Sequence, residues 1–487
     1  MRTHVLALLA ALLLLLIAGV GTAAASDPTQ VVGQEAASQQ SASANADATQ
    51  IAPTNRNVDV RIFSPGESGS VTQTNAAGAL AIAGNANETS QSANQAQSGS
   101  GTQAVGQEAA NQQAADASAD ATQVKPSNEN ISVRIHSPGN DGDVTQSNVA
   151  AAGAAAGNAN GTAQAAEQSQ GGGGGEQAVG QSAGSKQSAD ADANATQIKP
   201  SNSNVSVRIG SAGNGGSVNQ TNAALAGALA GNKNTTQQTA DQKQDGGSCK
   251  CGGGGVQAVG QEAWNHQSAE ADADAVQVAP QNDNTSVRIG SPGNDGDVRQ
   301  ANVAGALGIA LNGNATEQSA AQSQGGGCGC HGTPVQAVGQ FAASGQYADA
   351  DANAKQIAPK NTNTPVRIGS PGGGGDVAQA NVAGALGIAL NANSTDQTAQ
   401  QAQGGGGHAK CGCGGGGVQA AGQSALNAQA ADADASTFQL WAANENAPVR
   451  IGSAGGGGSV RQLNAALALA LAANLNHTRQ EVAQTQS

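Results

Sequence analysis

Aromatic residues make up 1% of this 487-residue chain, as three Phe, two Trp and one Tyr, and there is a single Met. Large side chains of that kind fill ordinary globular cores, so a set of enzyme-like domains is not expected. Charge is also scarce: 11% of residues are charged, with 20 Lys+Arg against 34 Asp+Glu and a net charge of −14. Without basic patches there is nothing to neutralise phosphates, which argues against a nucleic-acid partner. No apolar run beyond the first two dozen residues is long enough to cross a bilayer, so no membrane partner is expected for the mature chain. What remains is alanine, amide and 70 glycines. Burying an alanine methyl returns about 0.8 kcal/mol, against roughly 1.5 kcal/mol per residue ordered. Repetition must supply the rest.

The first residues read as an export signal. Arg2 precedes an apolar, leucine-rich run from Val5 to Val20, followed by small residues up to Ser26. This pattern predicts a secretory signal peptide over residues 1–25, with a retained anchor helix as the rival reading. The expected location is secreted, extracellular or at the cell surface.

One unit recurs from Gln30, Gln103, Gln177, Gln257, Gln336 and Gln419. The boundaries read as repeat 1 at 26–102, repeat 2 at 103–176, repeat 3 at 177–256, repeat 4 at 257–335, repeat 5 at 336–418 and repeat 6 at 419–487. Each passes from an amide and alanine arm through a Pro/Asn segment, a Val-Arg-Ile triplet and a Ser-Pro-Gly or Ser-Ala-Gly turn into a second arm. Length varies almost only in the polar or Gly-rich joints, such as Gly171–Gly175 and Gly404–Gly417, as expected of linkers between fixed units.

Within the arms the period is two. Gln30, Val32, Gln34 and Ala36 through Gln50 define one face of the first arm, and Val71, Gln73, Asn75 and Ala77 through Gln91 define one face of the second. Intervening positions drift from copy to copy. Alternation at 180° per residue is a strand signature, and the triplet Val60-Arg61-Ile62 adds a short strand. Alanine-rich helices are the competing reading, strongest over Ala465–Leu471, but Gly78 and Gly84 and the strict two-residue phase oppose it. The fold expected is all-β: a repetitive β-solenoid or stacked long β-arms built from six repeats with Gly-rich joints. Stacked copies would align Gln73, Asn75, Asn85, Asn87 and Gln91 with Gln146, Asn148, Asn158, Asn160 and Gln164, and so on to Gln462, Asn464, Asn474, Asn476 and Gln480, as amide ladders.

The spacing Val71-x-Gln73-x-Asn75 with Asn85-x-Asn87-x-x-x-Gln91 resembles the curlin repeat of bacterial surface amyloids. It covers about a third of each unit; an alanine run separates the two amide clusters, and the units here are much longer. The resemblance implies an assembling extracellular β-solenoid or fibre.

The six cysteines form three Cys-x-Cys pairs in the joints: Cys249 with Cys251, Cys328 with Cys330, and Cys411 with Cys413. In an oxidising compartment they read as disulfide candidates between units or chains. His331 and His408 nearby leave a thiolate–imidazole zinc or copper site as the alternative. Paired aspartates such as Asp190/Asp192, Asp272/Asp274, Asp349/Asp351 and Asp432/Asp434 share a strand face and read as solvated charge that discourages stray edge pairing. The turn of repeat 4, Asn294-Asp-Gly-Asp297, resembles part of a calcium loop, but its second aspartate is Ser70, Ser217 or Ser459 elsewhere, so no metal is built into the unit. Arg61, Arg134, Arg208, Arg288, Arg367 and Arg450 recur in register, so aspartate partners or wide spacing are expected. Asn87/Thr89 and its repeats match a glycosylation acceptor, but both share the fixed face, which favours the ladder. No nucleophile, base and orienting group recur together, so neither an enzyme nor a cofactor is expected. The function expected is a secreted structural repeat protein, partnered by itself or by homologous repeat proteins, in a matrix, fibre or coat. The alternative is a soluble module whose flat Ala/Thr/Asn face binds ice or a cell-surface polysaccharide.

Overall fold

The computed structural model describes residues 29–99, 101–171, 175–245, 255–325, 334–404 and 417–486, and within each of these six segments one repeat forms one rung of a stack. Rung 1 comprises β1 (Thr29–Ile51), β2 (Thr54–Ile62) and β3 (Val71–Gln97). Rung 2 comprises β4 (Thr102–Val124), β5 (Ser127–Ile135) and β6 (Val144–Gly171), and rung 3 comprises β7 (Glu176–Ile198), β8 (Ser201–Ile209) and β9 (Val218–Asp245). Rung 4 holds β10 (Val256–Val278), β11 (Gln281–Ile289) and β12 (Val298–Gln324), and rung 5 holds β13 (Val335–Ile357), β14 (Lys360–Ile368) and β15 (Val377–Gln403). Rung 6 ends the stack with β16 (Val418–Leu440), β17 (Ala443–Asn446), β18 (Val449–Ile451) and β19 (Val460–Gln486). No helix occurs among the described residues.

Corresponding strands pair in parallel and in register. The first arms stack as β1-β4-β7-β10-β13-β16, the second arms as β3-β6-β9-β12-β15-β19, and the short strands form a third sheet between them. Gln30 lies beside Gln103 and Asn75 beside Asn148, and the correspondence continues residue by residue up the stack. The architecture is therefore the all-β, repetitive solenoid expected from the two-residue phase. The arms do not bend at their glycines: a strand of 27 residues is about 90 Å long, whereas six rungs rise only about 30 Å. The molecule is a wide, thin slab. The short strand is longer than the Val-Arg-Ile triplet, spanning nine residues in rung 1, because the preceding Asn-x-Asn also pairs between rungs.

The two long sheets face one another. Every buried member of the main core cluster is alanine, drawn from both sheets, including Ala115–Ala121 on one side and Ala150–Ala156 on the other. Methyl-only faces allow the sheets to approach closely. At Gly308 a Cβ would sit 2.6 Å from the Asp351 carbonyl oxygen of the opposite sheet. Small valine columns close the core, with Val105, Val179, Val259 and Val338 near one end and Val144, Val218, Val298 and Val377 near the other.

The corners use left-handed backbone. Ala52, Lys125, Lys199, Ala279, Ala358 and Trp441 all have positive φ where the first arm turns into the short strand. At the next corner the position is Phe63, His136, Gly210, Gly290, Gly369 and Gly452. Two glycines make different demands. Gly290 has φ +57° and open space around a hypothetical Cβ, so alanine there should cost about 1 kcal/mol in backbone strain. At Gly293, φ +136°, a Cβ would collide with the carbonyl of Gly213 in the rung below. Gly293→Ala should therefore lower the urea midpoint by clearly more than Gly290→Ala, and equal shifts would contradict this packing of the turns.

Candidate assembly interface

The inward face of each arm carries its amides around the alanine centre. Most buried amides of the long arms donate twice, once along the stack and once across it, whereas the Gln123/Gln197/Gln277/Gln356 column donates along the stack alone. Gln107 Nε2 donates to Gln34 Oε1 at 2.8 Å in the rung below and to the Ala165 carbonyl of the opposite sheet at 3.0 Å. From the other sheet, Gln164 donates to Gln91 Oε1 at 2.8 Å and to the Ser182 carbonyl at 3.0 Å. Asn158 donates to Asn232 Oδ1 and to the Ser188 carbonyl. The ladders thus bind rung to rung and sheet to sheet at once, and buried amides satisfied in this way avoid the desolvation cost of an unpaired group.

All of the ladder residues expected from sequence stack in this way. The Gln73/Gln146, Asn75/Asn148, Asn85/Asn158, Asn87/Asn160 and Gln91/Gln164 pairs are bonded side chain to side chain. At the other end, Gln462, Asn464, Asn474, Asn476 and Gln480 bond to their rung 5 counterparts. The face they share is buried between the sheets, so the Ala/Thr/Asn face of the alternative binding-module reading is not an outer surface. Asn87 also bonds Thr89 inside this seam. Sequence reasoning missed two glutamine columns beyond Gln91, Gln95/Gln168/Gln242/Gln322/Gln401/Gln484 and Gln170/Gln244/Gln324/Gln403/Gln486, and two short-sheet columns, Asn55/Asn128/Asn202/Asn282/Asn361/Asn444 and Asn57/Asn130/Asn204/Asn284/Asn363/Asn446. The signal of the short-sheet columns was the invariant Asn-x-Asn before each Val-Arg-Ile. The disulfide candidates Cys249, Cys251, Cys328, Cys330, Cys411 and Cys413 all fall in joints outside the described residues, so no disulfide occurs among the described residues. Residues 1–25 also lie outside them.

The ladders have direction. Glutamine columns donate from each rung toward rung 1, as Gln177 to Gln103 and Gln257 to Gln177. Asparagine columns donate toward rung 6, as Asn148 to Asn222 and Asn222 to Asn302. Rung 1 therefore ends with glutamine N–H donors and asparagine oxygens facing outward, and rung 6 with glutamine oxygens and asparagine N–H donors. Among the described residues, both ends also leave one side of two long strands unpaired. The short sheet contributes less at the rung 6 end, where Pro448 interrupts it between β17 and β18.

The arginine column is close, not widely spaced; turn aspartates neutralise its four interior members, Arg61 pairs with Asp59 of β2, and among the described residues Arg450 bonds turn carbonyls alone. Asp141 bridges Arg134 at 2.7 Å and Arg208 at 2.8 Å, while Asp295 pairs with Arg288 at 2.7 Å and Arg367 at 3.3 Å. Burial and neighbouring guanidiniums pull Arg288 below its usual range, with Asp295 opposing. The guanidiniums also bond turn carbonyls of the rung below, as Arg288 to Gly213.

The acidic columns stand on the outer face of the first-arm sheet. Lost solvation in the crowded column, then the carboxylates of Asp192, Asp351, Glu270 and Asp190, push Asp272 up to about 7. Lost solvation and Asp192, Glu270 and Asp116 push Asp190 up to about 6. No cluster of three or more His, Cys, Asp or Glu side chains arranged to hold a metal is present among the described residues. No family model, curated protein or solved structure matches this chain.

Two expectations follow for the seam. Gln267 accepts from Gln346 and donates to Gln187, each at 2.8 Å, and donates to the Gly313 carbonyl at 3.0 Å; Gln267→Leu removes all three bonds and should cost about 1–3 kcal/mol for each buried group left unpaired in urea unfolding. Asn265 is the opposite case, since both its amide atoms are buried without a hydrogen-bond partner while rungs 3 and 5 have Ser185 and Ser344 there. Asn265→Ser should therefore stabilise, and a loss of stability would contradict the geometry.

The acidic columns set a pH dependence. An acid whose folded pKa is raised binds more protons folded than unfolded between the two values, so stability falls as pH rises through that window. For Asp272 the window runs from 3.8 to about 7. The urea midpoint should rise as pH is lowered from about 8 toward 5, and Asp272→Asn should raise the midpoint at the high-pH end and flatten the profile.

Proposed function

We propose that the protein is an extracellular structural protein whose copies stack end to end, rung 6 of one on rung 1 of the next, into fibres that build a matrix or coat. The carrying observation is the complementarity of the two open ends. Glutamine oxygens at rung 6 meet glutamine N–H groups at rung 1, and asparagine N–H groups meet asparagine oxygens, so a junction continues every ladder with the bonding used inside the chain. Two like ends cannot do this.

Side chains on the outer faces support the same register. In the acidic columns, the junction would set Asp432 beside Ser43, Asp434 beside Asn45 and Ser436 beside Asp47, so no two carboxylates meet. Interior rungs lack that relief, as at Asp272 and Asp351. On the short sheet Glu445 would lie beside Arg56, repeating the Arg56–Glu129 pair made within the chain at 3.0 Å. On the second-arm sheet Leu469 and Leu471 would meet Leu80 and Ile82. Homologous chains sharing the register would fit the same ends. The leucine-rich N-terminal run supports export, where oxidised cysteines in the joints would lock neighbours.

The test blocks one end without touching the fold. In a parallel sheet alternate residues direct both N–H and C=O to opposite neighbours. Val71 N–H points to rung 2, so Ile82, of opposite parity, directs its amide to the free edge; the bond from Glu176 down to Gly101 sets the same sense for Ala37 in β1. Ala37→Pro with Ile82→Pro should leave the circular dichroism and urea midpoint of the unassembled protein unchanged. It should slow seeded fibre growth by about tenfold or more, the equivalent of two lost hydrogen bonds. Fibres of the native chain should diffract at about 4.7–4.8 Å. Undiminished growth of the proline variant would exclude end stacking.

A further inference from the structure

The outer face of the second-arm sheet carries an apolar region that end stacking engages only at its two edges and leaves uncovered across its breadth. Between positions 74 and 84, the outward side chains of β3 and their counterparts in β6, β9, β12, β15 and β19 are all uncharged. Leu80, Ile82, Leu229, Leu307, Leu386 and Leu469 stand in two neighbouring central columns, whose remaining members in rungs 2 and 3 are Gly153, Ala155 and Gly227. Leu80 is 67% exposed and Leu467 69% exposed. The region measures about 36 Å along the strands and about 29 Å up the stack, or roughly 1,000 Å². Single apolar patches on monomers reach about 300–600 Å².

We propose that this face is the lateral interface between two copies of the chain, paired outer sheet to outer sheet. The area argues for a protein partner of matching size, because about 2,000 Å² buried in total lies at the upper end of standard stable interfaces. The relief argues for a flat partner. Leu80 reaches over Gly153, where a Cβ would lie 3.2 Å from its Cδ1, and Leu225 reaches over Gly305 in the same way at 3.1 Å. Leucine knobs thus cover the gaps at Gly153 and Gly305, while Gly78, Gly227 and Gly384 stay open, and this shallow relief of knobs and gaps is one that another such sheet can match. The border is polar and carries both signs, with Arg299 and Arg461 on one side and Lys233, Glu88 and Glu317 on the other, which is the anatomy of a protein–protein interface. The opposite outer face cannot serve as the partner surface, because its acidic columns would be buried against leucine.

A two-fold axis parallel to the stack keeps both rung 1 ends on the same side, so paired slabs remain able to grow by end stacking. The pairing does not depend on that growth, and the experiment separates the two. Leu307→Lys with Leu386→Lys changes neighbouring outward positions in rungs 4 and 5; Leu307→Thr with Leu386→Thr keeps strand-forming residues there. Thr196→Lys, on the outer face of the first-arm sheet, is the control. For fibres, mass per length by scanning transmission electron microscopy should fall two-fold in both leucine variants and stay unchanged in the control. For protein that does not form fibres, sedimentation should show native dimers and variant monomers. Native material one slab thick, or variants with unchanged mass, overturns the pairing. So does unpaired native protein that binds phosphatidylcholine vesicles through this face.

Discussion

Most of this fold depends on a side-chain amide being able to donate two hydrogen bonds in different directions. One proton follows the stacking direction to the next amide, and the other crosses the seam to a backbone carbonyl of the facing sheet, as in Gln107, Gln164 and Asn158. Neither a hydroxyl nor a carboxylate can do both. The arrangement requires in-register parallel stacking, because a shift by one residue would turn every amide out of the seam. It also requires a thin core, because longer side chains would hold the facing carbonyls out of reach. Alanine is therefore a geometric necessity between the ladders, and the shortage of aromatics is a consequence of the architecture.

That dependence explains which parts were legible in the sequence. The positions from Val71 to Gln91 that share a phase of two also share the buried face, and five of the six column arginines, all but Arg450, found the aspartate partners that like-charge repulsion demanded. The Asn55 and Asn57 columns were not recognised, although they are as regular. Their segment is short and flanked by proline, so the two-residue phase has little room to declare itself. The direction of the ladders was not legible either. Amide orientation depends on which carbonyl lies opposite, and that carbonyl belongs to a strand tens of residues away. The same holds for the left-handed corners, where Ala, Lys and Trp occupy a conformation that composition does not announce.

Charge occupies only the places left to it. Interior carboxylates stack one above another on the outer face of the first-arm sheet, where solvent screens them imperfectly and Asp272 rises to about 7. Guanidiniums stack at the far corner, where turn carbonyls and shared aspartates accept their protons. The acidic columns remain on an outer surface because burying them against apolar side chains would leave carboxylates without partners. The second-arm sheet, free of such columns at its centre, is correspondingly apolar. The two broad faces of the slab thus differ because the two arms differ at their drifting positions, while their fixed faces are nearly interchangeable.

A stack of equivalent rungs has no internal reason to end. In solenoids each repeat is stabilised mainly by its neighbours, and polar caps normally close the terminal ones. Among the described residues, rungs 1 and 6 keep nearly all the inward amides and alanines of the interior rungs, with Thr437 and Val482 replacing two alanines, and Pro448 interrupts the short sheet. The difference between an interior boundary and the end of a chain is then connectivity: a joint raises the effective concentration of the next rung but adds none of the bonds that hold it. The physics that folds one chain from six repeats is, at its two faces, the physics that would recruit a seventh.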